Sequence, residues 1–179
     1  MNSRRISFSR EVIQGLCLVF LIVIPAILYA RTLAFDFVNW DDDLYVYANP
    51  AIRAFTLANI KSWFLHPFVA LYVPVPMASY ALNYLVSGLD PGSFHAWNLA
   101  FHVLNVFLVF LIFYFFNKDV YLCFLGALIF AVHPVQVESV VWISQRKNLL
   151  FAFFFLGGFY AALHSFFSES KKRSLTPLS

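Results

Sequence analysis

Charge is scarce in this sequence. Of its 179 residues only 12% are charged, about half the roughly 25% of ordinary soluble domains. A water-facing surface needs more polar cover than that, so a soluble cytosolic enzyme is excluded. A disordered chain would be more polar, and no basic field is available to hold a nucleic acid. Internal repeats and low-complexity segments are lacking too. What fills the chain instead is hydrophobic: 61% of residues, with a mean hydropathy of +0.75. These values describe an integral membrane protein. Cysteine is limited to Cys17 and Cys123, both within apolar runs. A disulfide between them would have to form inside the membrane, so free, buried thiols are expected.

The expected fold class is all-α: a polytopic membrane helix bundle with about four transmembrane helices. Spans are read at residues 12–30, 93–116, 120–133 and 149–167. The first follows Arg4, Arg5 and Arg10 and lacks a small-x-small cleavage site, so it is read as an uncleaved span. Residues 1–11 form a cytoplasmic N-terminus and 168–179, with Lys171, Lys172 and Arg173, a cytoplasmic basic tail, by the positive-inside tendency. Residues 12–167 make up the membrane module. Its loop 31–92 holds most of the acids and prolines and is expected on the far, extracytoplasmic side. Within it Ile52, Phe55, Ile60 and Phe64 recur at helical spacing, the pattern of an interfacial amphipathic helix. Ala78 to Leu85 reads as a second short helix, ended by Ser87 and Gly88.

Three groups of residues could carry chemistry. The first is Asn39-Trp40-Asp41-Asp42-Asp43. Adjacent carboxylates raise one another's pKa, which suits a general base or a divalent-cation site, Mg or Mn. A solvated turn with a helix N-cap accounts for the same residues. The second is His95, Asn98, His102 and Asn105, which fall within about 80° of arc on one helix face. They serve either as hydrogen-bonding glue between helices or as a polar wall of a site. The third is His133, Glu138, Trp142, Gln145, Arg146 and Lys147. Cations at a membrane boundary suit a phosphate, while a Glu138–Arg146 ion pair or simple headgroup contact is the structural alternative. The four-span topology puts all three groups at the same membrane surface.

The string FVNWDDDLYVYANP, Phe37 to Pro50, resembles the first extracytoplasmic loop of the polytopic GT-C glycosyltransferases. The nearer likeness is to the transmembrane-and-TPR O-mannosyltransferase-like family and its bacterial relatives. Tyr80-Ala81-Leu82-Asn83-Tyr84, the His95 to Asn105 face and HPVQVESVVWISQRKNLL, His133 to Leu150, are similar to further parts of that family in the same order. The resemblance covers about residues 35–160 and implies the N-terminal part of such an enzyme, since the family's membrane domain has more spans and continues into repeats. It implies inverting transfer of a sugar, mannose above all, from a polyprenyl-phosphate donor to a hydroxyl of an exported protein. Asp41 or Asp42 would then be the catalytic base, with Asp43 an addition to the usual acidic pair. Arg146, Lys147 and His133 would meet the donor phosphate; Glu138, His95, Asn98 and His102 would position substrate. Asp41, Asp42 and Asp43 are the residues to which a metal would be assigned. The expected location is a bacterial plasma membrane, or the endoplasmic reticulum membrane in a eukaryote. A non-catalytic membrane scaffold, or a remnant of such an enzyme, remains the other reading.

Overall fold

A computed structural model describes residues 9–175, with side chains through 167. Arg4 and Arg5, and the side chains of Lys171, Lys172 and Arg173, lie outside the described residues. Among the described residues there are seven α-helices: α1 (Arg10–Tyr29), α2 (Leu57–Leu65), α3 (Pro74–Ser87), α4 (Pro91–Phe116), α5 (Val120–Val132), α6 (Gln136–Val141) and α7 (Arg146–Leu175). Among the described residues three stretches are long and apolar enough to cross a membrane: Arg10–Ala34, Pro91–Phe116 and Ile143–Phe167. Helix α5, the third span expected from sequence, has 13 residues. At 1.5 Å per residue it reaches about 20 Å, short of the roughly 30 Å hydrocarbon layer. It packs lengthwise on α1 and α4, with Cys123, Ala127 and Ala131 buried against Val106 and Phe110. Cys17 and Cys123 are free and buried.

Local chemistry sets most helix boundaries. Ser9, Thr56, Asp90 and Asp119 each accept a hydrogen bond from a first-turn N–H of the helix that follows, satisfying donors that have no intrahelical partner. Pro74 and Pro91 occupy first helical turns, where the missing N–H costs nothing. The proline-rich stretch before Ala78 therefore starts α3, not merely interrupts it. Gly88 ends that helix with φ 63, a conformation that suits glycine. The periodic run from Ile52 splits into a 3₁₀ turn at Pro50–Ile52 and helix α2.

The bundle crosses closely at Gly92. A Cβ there would lie 2.7 Å from the Leu33 carbonyl oxygen, a backbone atom that cannot swing aside. Gly92→Ala is expected to lower stability by about 1–3 kcal/mol through overpacking, seen as a reduced thermal midpoint in detergent. Gly15, with nothing near its virtual Cβ, is the matching control.

Candidate functional site

The site forms where the loop after α1 folds back onto the α6–α7 junction. Asp41 has φ 69, a left-handed conformation that aspartate tolerates better than most residues. It reverses the chain just before Asp42, whose side chain is buried. Asp42 Oδ2 accepts from the Val38 N–H at 3.1 Å. Its Oδ1 accepts from the Ser144 N–H at 2.9 Å and from the Ser144 hydroxyl. A second tie is the Trp142 indole N–H, which donates to the Trp40 carbonyl at 3.1 Å. The acidic loop and the Glu138–Arg146 stretch, about a hundred residues apart in sequence, are thus in direct contact. Burial pushes the Asp42 carboxyl above the ordinary carboxylate range; its bonds to Ser144 and Val38 and the nearby His95 oppose that rise. The loop is braced from within. The Asn49 amide donates to the Tyr45 carbonyl at 3.2 Å and its oxygen accepts from the Ala51 N–H, while Arg53 donates to the Tyr47 carbonyl.

Asp41 and Asp43 are half-buried and do not share Asp42's partners. Among the described residues, no three His, Cys, Asp or Glu side chains come together as a metal-holding group. Asp42 turns inward to Ser144 while its neighbours stay outside, so the acidic triplet does not converge.

Among the described residues Arg146 is the largest fully buried side chain. Its Nε donates to Asn98 Oδ1 at 2.8 Å. Its Nη1 faces the Ser79 carbonyl and hydroxyl. Its Nη2 donates to Asn83 Oδ1 at 2.9 Å and the Phe94 carbonyl at 3.0 Å. The guanidinium also lies 4.7 Å from the Tyr80 ring centroid. Five donors meet five acceptors, leaving none for a phosphate in this structure. The Glu138–Arg146 pair considered from sequence does not form: Glu138 Oε1 accepts from the Gln145 amide instead. The reason is that α6 starts only at Gln136 and ends at Val141, capped by Trp142, and a 3₁₀ turn at Ile143–Gln145 rotates Arg146 into the bundle.

Lys147 points elsewhere. Its ammonium lies 5.7 Å from the Tyr45 ring centroid, at one end of an apolar groove of about 470 Å³. Leu150, Phe151, Phe154 and Phe155 of α7 form one wall, and Tyr72 to Pro76 the other. His133 is exposed, and its Nδ1 accepts from the Val135 N–H in the turn before α6.

The four polar residues of α4 are all buried, and they divide by role. His102 Nε2 donates to the Ala131 carbonyl at 3.0 Å, tying α4 to α5. Asn105 donates to the Leu149 carbonyl at 3.0 Å, tying α4 to α7. Asn98 links Arg146 to the Trp142 carbonyl. His95 faces a cavity, a space of about 500 Å³ bounded by residues 34–38, Asp42, Val141 and Trp142. The same 34–37 segment borders an outer cleft of about 750 Å³ reaching Tyr47 and residues 89–92.

Ser144, Ser79 and Asn83 belong to this network and were not singled out from the sequence. For Asn83 a signal existed, since it is an amide side chain within a mostly apolar helix. Ser144 gives none, because its pairing with Asp42 depends wholly on how distant segments meet.

In sequence, the chain is 36% identical over 96 residues to the human protein O-mannosyl-transferase TMTC3, an alignment covering 52% of the chain and 10% of the relative. It is 33% identical over 144 residues to mouse protein O-mannosyl-transferase TMTC1, covering 73% of the chain and 15% of the relative. Human protein O-mannosyl-transferase TMTC2 is 35% identical over 89 residues, 48% of the chain and 10% of the relative. The matched region thus spans only a tenth to about a seventh of the length of these curated relatives. No family model matches the sequence, and no solved structure matches it.

Proposed function

The chain is TMTC-like, related in sequence to the protein O-mannosyl-transferases named above, and we propose that it contributes the acidic loop and donor contacts of an inverting glycosyltransferase. The sugar is mannose, the donor a polyprenyl phosphate, the acceptor a protein hydroxyl, and the site faces the extracytoplasmic side. The observation that carries this reading is Asp42: a buried carboxylate with a raised pKa, held from two sides and lining a cavity. A general base works best when its pKa approaches the working pH.

The reaction is one displacement. The acceptor oxygen bonds to the sugar's anomeric carbon as the bond from that carbon to the phosphate oxygen breaks. The acceptor proton passes to the carboxylate, and the lipid phosphate leaves with the bonding pair. Asp42 is the base in this scheme, and Asp41 sets the reversal that presents it. Lys147 meets the leaving phosphate, where a fixed cation stabilises developing charge, and the groove below it takes the start of the lipid chain. Arg146 acts by bracing α3, α4 and the Trp142–Ser144 segment.

The test is transfer from polyprenyl-phosphate mannose to a threonine peptide by the purified chain in lipid. Product of inverted configuration is expected. Lys147→Met should weaken donor binding roughly five- to thirtyfold, as expected for loss of one partly desolvated charge contact worth about 1–2 kcal/mol. Unchanged donor affinity would remove Lys147 from the phosphate site. A second reading, a non-catalytic membrane scaffold, draws on the same three hydrogen bonds to Asp42, which a purely bracing carboxylate would also make. Absence of transfer from the wild-type chain, together with a large loss of stability in Asp42→Asn, would favour it.

A further inference from the structure

We propose that the cavity beneath the acidic loop is a hydroxyl-binding subsite, in which Asp42 takes the hydroxyl's proton side and His95 donates to its oxygen. The inference starts from His95, which is 3% exposed and has no hydrogen-bond partner at either ring nitrogen. The carbonyls of Asp36 and Val141 lie close by but without hydrogen-bond geometry. A buried polar group left unpaired costs about 1–3 kcal/mol, so an orphaned imidazole that lines a cavity calls for a ligand. Its neighbours narrow the chemistry. Phe35 meets the ring edge-on at a centroid distance of 6.2 Å. The Trp142 indole N–H is already used by Trp40, so that residue offers the cavity only its ring. Asp42 Oδ2 accepts one bond, from Val38, and keeps a lone pair for another.

The cavity therefore has apolar and aromatic walls and two polar groups, the usual composition of a small-ligand pocket, and its roughly 500 Å³ is within the usual range. A neutral imidazole offers one donor and one acceptor, and a carboxylate only acceptors. A hydroxyl matches both at one atom, donating to Asp42 while accepting from His95. A carboxylate ligand would be repelled by Asp42, and an ammonium has no lone pair for the imidazole N–H. Two sources can supply the hydroxyl: a threonine or serine side chain, or a ring hydroxyl of the sugar. That it is the reacting hydroxyl rests on the transfer reading above; that it binds does not.

The experiment is equilibrium binding to the purified chain of three probes: a capped alanine pentapeptide with a central threonine, its valine isostere, and methyl mannoside. For an acceptor hydroxyl, the threonine peptide binds roughly three- to tenfold tighter than the valine one, the effect of one hydrogen bond. His95→Phe removes that preference, so that the threonine and valine peptides bind alike. Mannoside binding that His95→Phe abolishes, with no peptide preference, assigns the hydroxyl to the sugar and also supports the subsite. Equal threonine and valine affinities together with His95-independent or absent mannoside binding overturn the proposal. Should His95→Phe fail to fold, the imidazole nitrogen NMR signals of the wild type decide. Their movement on adding threonine peptide or mannoside supports the subsite, and unchanged signals with both overturn it. Hydroxyl binding without transfer would discard the transfer reading alone; transfer without a His95-dependent hydroxyl preference would discard this subsite alone.

Discussion

Asparagine at position 42 is expected to lower transfer about 10²- to 10⁴-fold, the usual contribution of a positioned general base. The amide matches the carboxylate in size but cannot take a proton. It also disturbs the loop. The two Asp42 oxygens accept from Val38 N–H, Ser144 N–H and the Ser144 hydroxyl, whereas asparagine has one oxygen and an NH₂. One backbone N–H must then face another donor, at a cost of about 1–3 kcal/mol. Ser144→Ala separates the chemical effect from the structural one. It keeps the carboxylate and both backbone bonds but removes the hydroxyl that holds the Asp42 pKa down. The acid limb of kcat/KM against pH should therefore move to higher pH, with activity at high pH largely retained. An unshifted limb would mean that another group titrates.

The same group makes a stability prediction whose sign follows from its raised pKa. Folded Asp42 holds its proton more tightly than the unfolded chain does. Its favourable contribution is complete below the ordinary carboxylate value and is lost as pH rises through the raised one. Wild type should thus gain stability on acidification through that window, and Asp42→Asn should lack this component. Thermal midpoints of both proteins across mildly acidic to neutral pH check it.

Arg146→Met is the second large effect, and it should act on folding before it acts on chemistry. Methionine fills part of the volume but leaves Asn98 Oδ1, Asn83 Oδ1 and the Phe94 carbonyl without their donor. Leaving these buried acceptors without the guanidinium costs about 3–5 kcal/mol in all. The effect should spread through Asn98, whose amide holds the Trp142 carbonyl, and through Asn83, whose amide holds Ser93. Arg146→Lys is not a rescue, because an ammonium cannot copy the planar fork that reaches α3 and α4 at once. Unfolding in detergent should show both variants well below wild type, with Lys147→Met near it. A stable Arg146→Met protein that fails only in donor binding would return Arg146 to the phosphate.

Much of the architecture was legible in the residues. The membrane class and the three long apolar helices follow from composition and run length, which are local quantities. The buried face of α4 was readable because 100° of rotation per residue puts His95, Asn98, His102 and Asn105 on one side whatever they pack against. Helix starts at Asp90 and Asp119 were likewise local, since a cap bonds within its own first turn. Val120–Val132 shows the limit: its hydrophobicity matches a span, but its length does not.

What only the tertiary structure decided is the role of side chains that stand next to each other in sequence. Arg146 and Lys147 look alike in a one-dimensional reading; successive positions on a helix point about 100° apart, so one enters the bundle and the other reaches the groove. Asp41 and Asp42 differ in the same way, because Asp41 itself takes the left-handed conformation that turns the chain. The Asp42–Ser144 contact joins segments 102 residues apart. No periodicity encodes such a contact, because it exists only once α1, α4 and α7 have packed and brought their ends together.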